Sequence, residues 1–175
     1  MRRLLVPLCL LALLVPSASA RDLERGDGTL SIRDGRGTVV VHARGAVIGQ
    51  VARFERNGKL ILEDLVDGDG SVPRVLGADW SRLRADGTPV YGGKGIRFRL
   101  IGGRFALRAT NAVGLQLSVV GRGTVTLDGA GSVTTGLGYD GLFSLNGEPS
   151  ESLPDDSATF PIRPPASGKQ AARAR

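Results

Sequence analysis

The run Glu63-Asp64-Leu65-Val66-Asp67-Gly68-Asp69-Gly70 crowds carboxylates into a short glycine-rich stretch. Calcium takes hard oxygen ligands from flexible loops, and outside the cell weak affinity is enough. Asp64, Asp67 and Asp69 therefore form a candidate calcium site. The full calcium-loop spacing with its terminal glutamate is missing, and Asp and Gly are also ordinary turn residues. No other cofactor is expected. His42 is the only histidine, which excludes a multi-histidine metal centre. It stands between Val41 and Ala43, so strand alternation turns it outward.

Nucleophilic chemistry is poorly provided for. The only cysteine is Cys9, inside the apolar N-terminal run, and no Gly-x-Ser-x-Gly elbow occurs. Gly136, Gly138 and Gly141 match Gly-x-Gly-x-x-Gly, but Leu142-Phe143-Ser144-Leu145 follows and reads as a strand. A dinucleotide loop must open a helix there, so the match is a glycine-rich turn. The paired carboxylates of a glycan hydrolase are brought together by the fold, and sequence spacing selects no pair.

Arginine is the more specific feature. If Ile96, Phe98, Phe105 and Leu107 point inward, Arg97, Arg99, Arg104 and Arg108 point outward, on neighbouring strands of one hairpin. Like charges opposite one another destabilise a sheet, and an anionic partner relieves the repulsion. Nearby acids on a solvated face are the plainer alternative. In the first half of the chain only Arg33 and His42 hold comparable outward places.

The elements that must position these side chains are short strands. Glycine numbers 26 in 175 residues and punctuates runs rich in Val, Ile, Leu, Thr and Phe. Four strands are predicted at 30–33, 38–43, 47–54 and 59–63, with turns at 34–37, 44–45 and 56–58. The pattern recurs 66 residues on: Ile96 to Arg99 stands where Leu30 to Arg33 stood, Gly103 matches Gly37, and Phe105, Leu107 and Ala109 match Val39, Val41 and Ala43. After a one-residue deletion, 123–128 matches 58–63. Repeats at about 30–64 and 96–129 thus predict an all-β domain, an antiparallel barrel or two-sheet sandwich built from a duplicated four-strand unit. A short β-solenoid is the alternative, against which the length of the repeat speaks.

Alternation assigns the core. In the first unit it takes Leu30, Ile32, Val39, Val41, Ala43, Val47, Val51, Leu60 and Leu62; in the second, the alternate apolar residues from Ile96 to Leu127, Val113 among them. Residues 65–95 link the units, with a short helical turn predicted at 79–84 and Trp80 and Tyr91 expected to cover one end of the core. Leu142 to Leu145, the Asn146-Gly147 turn signal and Ala158 to Ile162 supply closing strands.

The N-terminus carries an address. Met1-Arg2-Arg3, the apolar run Leu4 to Val15 and the ending Ala18-Ser19-Ala20 make a signal peptide cleaved before Arg21. The expected organisation is a signal peptide at 1–20, one β domain at 21–162 and a basic disordered tail at 163–175. The mature chain is expected outside the cytoplasm, without a membrane span. From 21 to 160 acids and bases balance in number, and the excess of base lies in the tail. No nucleic-acid partner is therefore expected.

Two strings carry a resemblance. Gly35-Arg36-Gly37-Thr38-Val39-Val40-Val41, followed by Arg44 to Gly49, and Val119 to Gly129 resemble short secreted all-β proteins of high-GC Gram-positive bacteria. The resemblance covers most of residues 1–150 and implies no activity and no functional residue. Together these features predict a secreted, non-enzymatic β domain that meets an acidic envelope polymer or an extracellular protein. The alternative is an extracellular carboxylate-based glycan hydrolase.

Overall fold

The computed structural model describes residues 27–66, 70–131 and 138–164. The predicted signal peptide, Asp67, Asp69, Gly136 and nearly all of the basic tail lie outside these residues. The described chain is all-β: β1 (Gly28–Asp64), β2 (Arg74–Leu76), β3 (Trp80–Leu83), β4 (Pro89–Gly92), β5 (Lys94–Gly129), β6 (Leu142–Leu145), β7 (Glu151–Ser152) and β8 (Ala158–Ile162). Every pairing between them is antiparallel. That excludes the parallel β-solenoid and places the fold in the barrel-or-sandwich class.

β1 and β5 are far longer than one straight strand, and each bends repeatedly. The segments 28–33, 45–54, 94–101 and 112–121 make one arm of a curled half-barrel sheet, edged by β6 and β2. The segments 37–44, 59–64, 104–109 and 122–129 make the other arm, edged by β8 and by the β4–β3 hairpin. Strands that switch between layers through bends build such corners. Arg44-Gly45, predicted as a turn, is one of these bends: the chain continues through it and stays paired with 120–122. Val41 stands opposite Leu107 and Gln50 opposite Gln116, each pair 66 residues apart.

The concave side holds one core. All nine inward residues predicted for the first unit are buried, and so are those of the second apart from Val113. There Ala112 is buried and Val113 half-buried, because Asn111 (φ 49°) and Gly114 (φ 65°) are left-handed and each shifts the alternation. Val41, Phe105 and Leu107 lose all contact with solvent. Burying a side chain of that size stabilises by about 1.5–3 kcal/mol.

The ends are closed by the last strands. Phe143 of β6 packs on Phe160 of β8 with ring centroids 5.4 Å apart, bridging the two arms. Asn146 (φ 53°) and Gly147 (φ 79°) turn β6 into β7, as their dipeptide predicts.

The helical turn predicted at 79–84 is instead β3, paired with β4 across a tight turn in which Gly87 N donates to Arg84 O at 3.0 Å. Four residues with no apolar alternation carry no strand signal, so the pairing with β4 decides the conformation. Tyr91 packs against the core as expected, but Trp80 does not: its ring lies over Gly92, remains 41% exposed and carries the Arg82 guanidinium at 5.4 Å.

Candidate functional site: an arginine-walled groove

The arginines singled out by alternation do point outward, and all four are exposed. They do not share a hairpin. Arg97 and Arg99 already have β1 on one side and β2 on the other, while Arg108 lies between Val40 and Ile61. The bend at Gly102-Gly103 sends the two pairs to different arms.

On the first arm, register assembles a site. Ser31, Ser118, Ile48, Arg99 and Arg74 form one outward row across five neighbouring strands. Gln116, Gln50, Arg97 and Leu76 form the next, with Arg33 at its far end, one residue beyond the Ile32–Leu117 pair. Between the rows runs a groove of about 590 Å³ lined by Arg33, Arg74, Arg97 and Arg99 together with Gln50 and Gln116. Its floor includes Ile48 and Leu76, which are 60% and 64% exposed.

The electrostatics of the groove are one-sided. No acidic residue lines it, and among the described residues none of its four arginines makes an ion pair. Arg74 and Arg99 stand directly opposite each other. Planar guanidinium forks in this setting suit carboxylate or phosphate, bound through two parallel hydrogen bonds. The sequence alone offered Arg33 as the equivalent of Arg99. It gave no sign of Arg74, whose three-residue strand is too short to show a period.

On the second arm Arg104, Arg44 and Arg122 stand in register across three strands. Here an acid intervenes: Asp27 approaches Arg122 at 3.8 Å. His42 is exposed on the same arm.

The calcium candidate is only partly described. Asp64 Oδ1 accepts a hydrogen bond from Val66 N at 3.0 Å, the work of a turn residue. Among the described residues no group of three His, Cys, Asp or Glu side chains is arranged to hold a metal.

A second cleft, of about 480 Å³, brings Glu55 and Asp128 to one lining with Arg36 and Asn111. Glu55 accepts hydrogen bonds from Arg36 and Arg53 at 3.3 and 3.2 Å. The Arg36 hydrogen bond, then that of Arg53, holds the Glu55 carboxyl below the usual glutamate range. A glycosidase general acid needs the opposite shift.

No protein-family model matches this chain, no curated protein matches it, and no solved structure matches it.

Proposed function

We propose that this chain is a non-enzymatic binding domain that works outside the cytoplasm and holds an acidic partner, such as an envelope polymer, on the outer face of its first arm. The observation that carries the reading is the groove itself: four exposed arginines, no acid in its lining, and two of those arginines directly opposed. A surface selected only for folding gains nothing from that opposition. Export rests on the N-terminal address read from the sequence. The pairs Val41–Leu107 and Gln50–Gln116, each 66 residues apart, support the reading of the fold as a duplicated unit with the groove astride its centre.

The experiment is co-sedimentation of residues 21–175 with isolated envelope across a salt series, beside Arg97→Gln/Arg99→Gln and a chain ending at Pro164, which keeps β8 whole. Salt-sensitive sedimentation that the double variant loses and the truncation keeps is the expected result. Sedimentation lost only on truncation moves the activity to the tail. None at low salt removes the envelope reading.

The hydrolase alternative draws support from the shared cleft of Glu55 and Asp128. Glycan hydrolysis that Glu55→Gln abolishes would establish it, against the downward pull that the arginines exert on Glu55.

A further inference from the structure

The floor of the groove separates an inorganic-anion site from a site for something longer. Between Arg33 and Arg97 lie Gln116 and Gln50, which face each other across neighbouring strands. From the strand of Arg33 to that of Arg97 there are three interstrand steps, about 14 Å. Each glutamine amide offers both donors and an acceptor, and Ser31 and Ser118 in the adjoining row do the same through hydroxyls. A ligand that was only charge would have no use for that neutral centre, where the hydrogen-bonding side chains flank the exposed, apolar Ile48.

We infer that the groove takes a linear, hydroxyl-bearing polyanion laid across the strands, with one anionic group on Arg33 and another on the Arg74–Arg97–Arg99 wall. The inference rests on the binding function proposed above and adds the ligand's class, length and direction. Charge complementarity excludes the nearest competitors for the face. The residues after Phe160 include Arg163, Lys169, Arg173 and Arg175 and no Asp or Glu, so the groove repels them. A second copy would bring the same arginine face. The anionic group is a carboxylate on a sugar or a phosphodiester between polyols, and both suit arginine forks.

Calorimetric titration tests this with two ligand series of increasing length, oligogalacturonides and glycerol-phosphate oligomers, beside oligothymidylates of matched charge. For at least one of the first two series, affinity rises about tenfold or more once the ligand spans both walls. Whichever series shows the rise identifies the source of the anion. Arg33→Gln removes the rise with length. Arg97→Gln/Arg99→Gln abolishes binding at every length. All these side chains are exposed, and circular dichroism confirms that the variants fold. Binding independent of length, or a length dependence unchanged by Arg33→Gln, overturns the spanning mode while the anion-binding function stands. Oligothymidylates binding as tightly overturn the role of the hydroxyls. No binding to any polyanion overturns the function itself.

Discussion

Gly45 and Gly121 lie directly opposite each other where both long ribbons pass from one arm of the sheet into the other. Their φ angles, 145° and 153°, are closed to side-chain-bearing residues, and a Cβ on either would strike the backbone of the facing strand. The corner therefore depends on two missing side chains.

Gly45→Ala and Gly121→Ala should each cost about 3 kcal/mol through backbone strain and the clash together. Gly87→Ala is the control: its φ is also positive, 83°, but nothing lies near its Cβ position. It should cost only about 1 kcal/mol. Urea midpoints measure all three, and equal losses would remove the close approach from the explanation.

Asn146 ties three segments together. Its Nδ2 donates to Pro161 O at 2.9 Å, its Oδ1 accepts from Arg163 N at 3.0 Å, and its backbone N donates to Thr29 O at 2.7 Å. Asn146→Gly keeps the left-handed turn and removes both side-chain bonds. It should cost about 1–2 kcal/mol, and amide exchange should rise in β8 before it rises in the core.

The opposition of Arg74 and Arg99 makes stability and binding move in opposite directions. Arg74→Gln should raise stability by about 0.5 kcal/mol at low salt, less as salt screens the pair. The same change should weaken anion binding. Thermal melts across a salt series, paired with titration against a polyanion, read both effects. A variant that is less stable at low salt would mean the arginines do not repel.

The lowered pKa of Glu55 makes an acid-side prediction. Its folded form prefers the carboxylate, so the stabilisation is complete above the unfolded value, near the ordinary 4.5, and is lost as the pH falls through the lowered folded value. Wild type should exceed Glu55→Gln in melting temperature at neutral pH. The two curves should meet on the acid side, and a gap that widens with acid would reverse the assignment. Since Glu55 is partly exposed, the gap should also shrink with salt.

The sequence by itself determined which side of each strand faces inward. Val41, Phe105 and Leu107 are buried because burial of apolar area acts on every second residue of an extended chain, and that period is written locally. It also determined that the chain is all-β, that Asn146-Gly147 turns, and that Arg97, Arg99, Arg104 and Arg108 face solvent. It could not tell which strand neighbours which. A bend at Gly45 and a turn at 56–58 look alike in sequence, yet pairing with 120–122 runs without a gap through the first, whereas at the second residues 55–58 bulge out against Asn111 alone before pairing resumes at Lys59 and Thr110. Only tertiary structure decided that Arg97 and Arg99 part from Arg104 and Arg108, and that Arg74, on a strand of three residues, completes the wall opposite Arg33. The physical reason is that register joins residues far apart in the chain through backbone hydrogen bonds. Those bonds are the same for every residue type and leave no mark in the sequence.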